Sequence, residues 1–511
     1  ILAEYAEYDV MEKVKSAKRE SGRKKIARAM YTLGYRPHYP IIIVPGLASS
    51  ALESWYSEQG KWKRSRLWVD PMKIGNPATV EKVFSVFRGK KKVSRKQNFD
   101  EDDEDEDDDQ PLTEASRRAW SAAMVLDKDG FSDPPGVKVR PVQGLHGIDF
   151  LAESRVAKKA SYVFGHVINA LIDVGYDTHN LEAAPYDWRL PPCKIEERDF
   201  YFSSLMNMVE FSHQINQRKV VLMGHSMGNR TIQYLLQFAE RKCKGWGHKH
   251  VHAFLAMGPP FLGAPKALRT VLTGDCMGLE VFLTPEEGLA FAKNCASSPW
   301  LFPVLESSFP DVVARIQDNS SKGYTPTPVA KVLEEFAKTS AVFYDKFYYN
   351  DELYLKLSPG ETDLQAKLFA PPPVPNVWVI MGVNLPTEVS YYLKADRRSG
   401  REAKVSLDHG ADKYSDRKEG MVNPRGLKVS DGMAYETRST YQPSVRMNKS
   451  GDGTVPFCSL NYAAEWRKQS EKDGRLLNVQ IFEIEGAEHR EMLNNDAVFL
   501  SIIELVCKKQ K

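Results

Sequence analysis

Cysteine is scarce in this sequence, and long apolar runs and a strong net charge are missing from it. Six cysteines in 511 residues are too few for a disulfide-stapled scaffold. The formal net charge is only +3, which argues against a general nucleic-acid binder because phosphates require clustered positive charge. No apolar run approaches the ~18 residues that a membrane-spanning helix needs. These absences favour a globular protein and leave attachment to a membrane surface open.

Length and charge pattern indicate how the chain is organised. At about 150 residues per domain the length favours roughly three domains, although one α/β domain with insertions can use the same length. Residues 1–37 are predicted to form a basic helical arm, with either a solvated or a membrane-facing surface. Residues 88–96 are basic and 100–109 wholly acidic, and such dense like charge predicts a disordered loop. We place that loop in a membrane-facing insertion over residues 61–135.

From residue 136 onward, strand-like and helix-like patterns alternate. Strands are predicted at 137–142, 219–223, 250–258, 376–381 and 479–484, helices at 157–175, 200–216 and 228–241, and a loop at 181–188. Such alternation requires crossover connections and predicts an α/β fold with a mainly parallel sheet. The rhythm breaks near residue 265, which predicts a lid and cap over 273–372. The α/β core is therefore expected over 38–60, 136–272 and 373–511.

The strongest chemical signal is the pentapeptide GHSMG at residues 224–228. It follows an apolar run at 220–223 and precedes a helical pattern, which is the strand–turn–helix context of a nucleophile elbow. Glycines two positions before and after the serine permit the tight turn. Ser226 is therefore the predicted nucleophile, and the alternative is a glycine-rich turn that contains an ordinary serine.

A nucleophilic serine needs a base, and the base needs an orienting acid. With this type of elbow the chain order is serine, acid, histidine. His489 follows the last predicted strand and precedes a final helix, as expected of the base. Asp452 is the favoured acid, because the glycines of the GDGTVP loop (451–456) let its carboxylate turn back toward the sheet. The rival acids are Asp396, Asp408 and Asp431.

Acyl chemistry also needs donors for the developing oxyanion. One predicted donor is the backbone N–H of Met227, directly after the nucleophile. The other is expected in the loop after the strand at 41–44, where Ala48 or Leu47 would supply it. The alternative for this loop is a plain turn at the end of a strand.

Three alternating histidines, His248, His250 and His252, could imitate a metal-binding triplet. They run directly into a predicted strand, so the start of a strand is the favoured interpretation. We therefore predict no metal and no organic cofactor.

Together these segments resemble the lecithin:cholesterol acyltransferase family over roughly residues 38–505. The matching stretches are IIIVPGLASSALE (41–53), APYDWRL (184–190), GHSMG (224–228), GDGTVP (451–456) and EGAEHREML (485–493). PYDWR is more specific to the family than the serine motif. The resemblance implies an α/β-hydrolase fold.

The resemblance also implies roles for individual residues. It places the triad on Ser226, Asp452 and His489, the same three that the motif order favours, and the oxyanion donors on Ala48 and Met227. No metal or cofactor is implied.

Family members cover the site with a mobile lid, which matches residues 273–298 here. Met277, Leu279 and Phe282 in this amphipathic stretch, and Trp188 in PYDWR, are implied to contact substrate. The alternative is a plain cap helix whose apolar face belongs to the core.

The implied reaction is transfer of a fatty acyl group from a phospholipid, through an acyl-enzyme, to a lipid hydroxyl. Residues 194–202, 224–229, 250–267 and 385–392 look like plant phospholipid:sterol acyltransferases, whereas 133–145 and the GDGTVP loop look equally like phospholipid:diacylglycerol acyltransferases. A sterol is the favoured acceptor and diacylglycerol the alternative. A phospholipase A, with water as acceptor, and an inactive lipid-binding protein remain the other hypotheses.

The expected partners are a phospholipid donor, the acceptor lipid and a membrane surface, with no nucleic acid. Membrane association in the endoplasmic reticulum or elsewhere in the secretory pathway is expected, and the sequons at Asn319 and Asn448 fit that compartment. The sequence begins at Ile1, so a signal or anchor upstream would not be visible in it. The two disulfides of the family's animal plasma enzyme cannot form here, because no cysteine precedes Cys193 and residue 379 is valine.

Overall fold

A computed structural model gives the fold of most of the chain. The described residues are 25–58, 63–68, 114–152, 161–275, 285–318, 323–349, 351, 353, 369–397, 403–411, 427–437, 449–474 and 477–510. The charged segment at 88–109 and the predicted lid residues Met277, Leu279 and Phe282 lie outside these ranges. Within the ranges, every helix is too short or too polar to cross a bilayer.

The strands of the described chain are β1 (Tyr35–Pro37), β2 (Ile41–Val44), β3 (Leu52–Ser57), β4 (Arg66–Trp68), β5 (Val137–Pro141), β6 (Leu181–Ala183), β7 (Val220–His225), β8 (Val251–Met257), β9 (Ala314–Gln317), β10 (Thr325–Thr327), β11 (Asn376–Val383), β12 (Thr387–Asp396), β13 (Lys404–Leu407), β14 (Lys428–Ser430), β15 (Met433–Glu436), β16 (Asn478–Glu485) and β17 (Cys507–Lys509). The α-helices are α1 (Lys25–Thr32), α2 (Glu114–Met124), α3 (Gly165–Asp173), α4 (Pro192–Asp199), α5 (Tyr201–Asn216), α6 (Met227–Lys242), α7 (Trp246–His250), α8 (Pro265–Thr273), α9 (Pro285–Asn294), α10 (Val329–Phe336), α11 (Lys338–Tyr344), α12 (Phe457–Leu460), α13 (Ala463–Lys472) and α14 (Asp496–Val506).

A six-stranded parallel sheet, in the order β16-β11-β8-β7-β2-β6, forms the centre of the molecule. Its inner strands are apolar on both faces, as expected for parallel strands covered by helices on each side. Ile41 and Ile43 of β2 face one hydrophobic cluster with α1, α3 and α14, whereas Ile42 and Val44 face another with α5 and α6. The α/β class and the mostly parallel sheet of an α/β-hydrolase-like fold are thereby confirmed.

The strand register gathers several loops at one edge of this sheet. Val44 of β2 lies beside Gly224 of β7, and His225 lies beside Met257 of β8. Because the strands are parallel, their carboxyl ends meet at the same edge, where open α/β sheets bind ligands. Ser226 follows β7 directly and therefore stands at this edge.

A second sheet lies outside the central one, in the order β10-β9-β12-β15-β14, with β13 beside β12. It joins β9 and β10 of the predicted cap to β12–β15, which fall in the range 373–511 that we assigned to the core. The strands β12 to β15 thus belong to the second sheet, because β12 pairs with β9, β13 and β15 instead of with a central strand. Pairing between strands that are distant in the chain cannot be predicted from the local alternation of apolar and polar residues.

Parts of the predicted insertion (61–135) and of the predicted arm (1–37) pack against the rest of the described chain. β3, β4 and β5 form a small antiparallel sheet, so the predicted strand at 137–142 is not a central one. Residues 25–37 of the predicted arm belong to the main fold, because α1 buries Ile26, Ala27 and Met30 against α3 and α14. Residues 1–24 lie outside the described ranges.

Some local predictions differ from the structure. Residues 181–183, predicted as loop, form β6, which pairs with β2 at the sheet edge and is too short to show a period. His248 and His250 lie in the short helix α7, and of the three histidines only His252 lies in a strand, β8.

Candidate active site

Ser226 occupies a strained turn between β7 and α6. Its backbone angles are φ 54° and ψ −127°, a region that a non-glycine residue adopts only when its surroundings enforce it. A Cβ on Gly228 would lie 2.2 Å from the Val44 carbonyl oxygen, and one on Gly224 would lie 2.6 Å from the Asn229 Oδ1. Both flanking positions therefore require glycine, as the elbow motif predicts.

The structure brings the three predicted residues into one hydrogen-bonded chain. The His489 Nε2 lies 3.0 Å from the Ser226 Oγ, and its Nδ1 lies 2.7 Å from the Asp452 Oδ2. With Nδ1–H donating to the carboxylate, Nε2 is left to accept the serine hydroxyl proton. The imidazole thus has the tautomer that a general base requires.

The Asp452 side chain is fully buried and held by its own loop. Its Oδ1 accepts N–H bonds from Val455 at 2.8 Å and from Thr454 at 3.1 Å. The backbone carbonyl of Asp452 also accepts the His489 N–H at 3.0 Å. The glycine-flanked loop therefore fixes both the acid and the start of the histidine loop.

Burial by itself would lower the pKa of His489. The charge of Asp452 and its hydrogen bond to the ring act in the opposite direction and leave the pKa raised above its ordinary value. A carboxylate at this position thus stabilises the imidazolium that forms when the ring accepts a proton.

His225, the residue before the serine, is a contact that the sequence reasoning missed. Its Nε2–H donates to the backbone carbonyl of His489 at 2.8 Å, and the two rings lie 4.9 Å apart. Burial, followed by the charge on His489, lowers the pKa of His225 to about 3, so this ring stays neutral. It anchors the histidine loop to the elbow. Only its place within GHSMG could have pointed to it.

Gly258 lies directly against the imidazole of His489. Its φ is +51°, and a Cβ there would lie 3.0 Å from the His489 Nδ1 and 3.1 Å from the Met492 sulfur. The residue after β8 thus leaves just enough room for the histidine.

The predicted oxyanion donors belong to two segments, the residue directly after Ser226 and the loop after β2. Met227 is the first residue of α6, so its N–H has no acceptor within the helix. A Cβ on Gly46 would lie 3.0 Å from that of Ser226, which brings the loop with Ala48 against the elbow. Ala48 has a φ of 56°, and its carbonyl accepts the indole N–H of Trp68 at 2.8 Å. Their role as oxyanion donors stays a prediction.

Trp188 is buried, and its indole N–H donates to the Ser50 carbonyl at 3.1 Å. Its ring packs 5.0 Å from Trp68 and 5.8 Å from Phe291 of α9. These contacts join the core, the insertion and the cap. Contact with substrate stays a prediction for Trp188.

The neighbouring residues of PYDWR form a buried ion network. Asp187 and Arg189 are within 1% of full burial and are joined by two bonds of 2.7 and 2.8 Å, and Arg198 lies 2.8 Å from the same carboxylate. Burial alone would raise the pKa of Asp187, but the two guanidiniums hold it well below its usual range. The backbone of Arg189 also accepts the Ser297 N–H at 3.1 Å. The motif thus ties the cap to the core.

The rival acids lie in or beside the second sheet. Asp408 bonds with Lys394 at 2.8 Å and with the Tyr324 hydroxyl, and Asp431 lies 3.8 Å from His409. The carboxylate that is hydrogen-bonded to the His489 ring is that of Asp452. Within the described ranges, no three histidine, cysteine or carboxylate side chains are grouped as ligands of a metal ion.

A parallel sheet with a serine, a histidine and an aspartate in one hydrogen-bonded chain at its carboxyl edge defines an α/β-hydrolase-like protein. A model of the lecithin:cholesterol acyltransferase family matches residues 108–496. This is most of the chain, and the chain belongs to that family.

Three relatives are similar along most of this chain. A phospholipid:diacylglycerol acyltransferase of Schizosaccharomyces pombe is 25% identical over 510 residues, which cover 91% of this chain and 72% of the relative. A phospholipid–sterol O-acyltransferase of Arabidopsis thaliana is 26% identical, over 71% of this chain and 65% of the relative. A lysosomal phospholipase A and acyltransferase of Canis lupus familiaris is 27% identical, over 71% of each chain.

Proposed function

We propose that this protein is an O-acyltransferase that moves a fatty acyl group from a phospholipid to a lipid hydroxyl. The observation that carries the proposal is the hydrogen-bonded chain of Ser226, His489 and Asp452. The family and the relatives' names, all of which include acyl transfer, support a phospholipid donor. A hydrolase-type site that transfers acyl groups to alcohols uses the same serine chemistry as one that transfers them to water.

In the first half-reaction, the Ser226 Oγ attacks the ester carbonyl while the His489 Nε2 takes its proton. Asp452 stabilises the resulting imidazolium, and the N–H groups of Ala48 and Met227 stabilise the oxyanion. Collapse of the tetrahedral intermediate breaks the ester bond, and His489 returns the proton to the departing lysophospholipid oxygen. An acyl-serine remains.

In the second half-reaction, His489 takes the proton of the acceptor hydroxyl as its oxygen attacks the acyl-serine. Collapse of this second intermediate releases the new ester, and the proton returns to Ser226. A sterol is the favoured acceptor and diacylglycerol the alternative, and the relatives' names include both. Because donor and acceptor are membrane lipids, we propose that the enzyme works at a membrane surface, in the endoplasmic reticulum or elsewhere in the secretory pathway.

Phospholipase A activity is the second candidate function, favoured by the name of the lysosomal relative. Here water replaces the acceptor hydroxyl and the acyl-serine yields free fatty acid. Transfer needs water to be kept from the acyl-enzyme, so the ratio of the two products measures how well the closed site excludes it.

The test uses vesicles of phospholipid labelled in the acyl chain, with a sterol, with diacylglycerol, or with neither. We expect labelled steryl ester or triacylglycerol with the matching acceptor, and free fatty acid without one. Ser226→Ala should abolish every labelled product, whereas the buried Ser470→Ala in α13 should not. Free fatty acid alone under all three conditions refutes the transferase. Unchanged product with Ser226→Ala refutes the serine mechanism.

A further inference from the structure

Glu436 is a buried carboxylate at the end of β15, in the second sheet. It is 1% exposed and lies opposite Thr387 of β12. It lies outside the chain of serine, histidine and aspartate, and the proposed mechanism gives it no task. Its contacts nevertheless lead directly to the loop that carries Asp452.

One carboxylate oxygen of Glu436 holds both ends of that loop. Its Oε1 accepts the N–H of Gly451 at 2.7 Å and the N–H of Phe457 at 2.7 Å. These two residues bracket the five that include Asp452. The loop is thus closed around a single acceptor atom, which fixes the distance between its ends.

The paired strand adds a third bond to the same loop. The Thr387 Oγ1 accepts the N–H of Gly453, the residue after Asp452, at 2.9 Å. Thr387 and Glu436 face each other across β12 and β15. Glu436 and Thr387 of the second sheet therefore bind three backbone N–H groups of this loop. That of Gly451 lies directly before Asp452, that of Gly453 directly after it, and that of Phe457 at the end of the loop.

The surroundings of Glu436 disfavour its charged form. The pKa of Glu436 is raised to about 7: burial is the largest cause, the N–H groups of Phe457 and Gly451 act to lower the pKa, and the charge of Asp452 acts to raise it. A second carboxylate beside Asp452 is unfavourable, so the two strong N–H bonds are what stabilise it there. Conversely, without Glu436 two buried N–H donors would lose their acceptor.

We propose that Glu436 is a positioning residue for Asp452. The Glu436 Oε1 holds the loop at 451–457 in the conformation that places the Asp452 carboxylate against His489. The inference rests on the proposed function, because it assumes that Asp452 orients the base. It makes the second sheet part of the catalytic apparatus, although that sheet contributes no residue of the triad. An acid displaced by about 1 Å can cost about 100-fold in rate, so the effect is measurable.

The experiment compares three replacements of Glu436 in the full chain. Glu436→Ala removes the acceptor, Glu436→Asp keeps a carboxyl group but draws the acceptor back by one methylene, and Glu436→Gln keeps an acceptor oxygen at the same reach on a group that cannot ionise. Asp452→Asn tests the acid itself. The matched control is Glu306→Ala, which removes a part-buried carboxylate that accepts the Val329 N–H at 3.1 Å in the cap.

Two readouts separate positioning from a general loss of stability. The first is kcat against KM for phospholipid cleavage, and the second is amide hydrogen exchange in residues 449–460. We expect Glu436→Ala and Glu436→Asp to lower kcat by about 10-fold to 100-fold with little change in KM, and to speed exchange in this segment. Glu436→Gln should restore kcat to within about threefold of the wild type. Glu306→Ala should leave exchange at 449–460 unchanged.

The possible outcomes decide each proposal separately. If Asp452→Asn lowers kcat but Glu436→Ala and Glu436→Asp do not, positioning by Glu436 is overturned and the proposed function stands. If Glu436→Gln is as slow as Glu436→Ala, the acceptor oxygen is not the cause, and the inference fails as well. An Asp452→Asn variant with unchanged kcat contradicts the triad and the inference together.

Discussion

Replacing Asp187 with asparagine tests whether the PYDWR motif stabilises the fold. The substitution keeps the size of the side chain but removes its charge. The surrounding network includes three carboxylates and three guanidiniums, from Asp133, Asp187, Asp199, Arg140, Arg189 and Arg198. Without the Asp187 charge, this balanced group retains one excess buried positive charge.

The expected loss follows from the burial of the group. Removing one partner of a buried pair costs about 3–5 kcal/mol, because the other charge stays buried without compensation. Arg189 is 1% exposed, and Asp133 lies farther from it, at 3.5 Å, than Asp187 does, at 2.7 Å. We therefore expect Asp187→Asn to lower the free energy of unfolding by about 3–5 kcal/mol at pH 7.

The pH dependence has a definite sign. The folded-state pKa of Asp187 is held well below its ordinary value, so the stabilisation is present above the unfolded-state pKa of about 4. It is lost as the pH falls through the lower folded-state pKa. The difference between wild type and variant should thus stay constant from about pH 5 to 8 and shrink below about pH 4.

The assay is denaturant unfolding followed by tryptophan fluorescence, with activity measured on the folded fraction. Asp177→Asn is the control, since that carboxylate is 62% exposed and its loss should change stability by about 0.5 kcal/mol or less. A loss below about 1 kcal/mol for Asp187→Asn would refute the assignment of the motif to stability.

Three further substitutions probe the surroundings of His489. Asp452→Asn removes the charge that raises its pKa, so the acidic limb of the profile of kcat/KM against pH should move to lower pH, with a fall in kcat of about 10⁴-fold. His225→Phe deletes the donor to the His489 carbonyl and should destabilise the protein by about 1–3 kcal/mol in thermal unfolding and lower kcat. Gly258→Ala should cost about 1–2 kcal/mol in backbone strain and slow the labelling of Ser226 by a phosphonate, because the new methyl group meets the imidazole.

Each of these has an outcome that contradicts it. An acidic limb that stays in place with Asp452→Asn would mean that the carboxylate does not set the pKa of His489. A wild-type kcat in His225→Phe would show that the hydrogen bond from His225 to the His489 carbonyl is not needed to position the base. Gly474→Ala is the control for Gly258→Ala, because Gly474 also has a positive φ, +65°, but a Cβ there meets nothing within 4 Å. Equal labelling rates in the two glycine variants would show that contact with the imidazole has no effect.

The three central residues of the site were accessible from the sequence because each lies in a local signature. Ser226 stands between an apolar strand and a helix, and Asp452 stands between glycines that a tight loop requires. His489 follows the last strand of the parallel sheet. Motif order and strand rhythm therefore suffice to place them at one edge.

The supporting residues could not be found in this way, because their partners are distant in the chain. His225 acts on a carbonyl 264 residues away, and Glu436 is a lone glutamate in a four-residue strand. The second sheet was missed for a related reason, since β12 pairs with strands that precede and follow it. Such pairings depend on tertiary packing more than on local propensity.

The position of β7 in the central sheet also bears on how the site comes into being during synthesis. β7 pairs with β2 and β8, so the serine's strand has both of its neighbours once residue 257 has been made. The histidine follows 263 residues after the serine, which at a synthesis rate of roughly 5–20 residues per second is a delay of roughly 13–53 s. Throughout that interval the nascent chain contains Ser226 but not yet His489. Ser226 therefore cannot gain its general base until the chain has been made through residue 489.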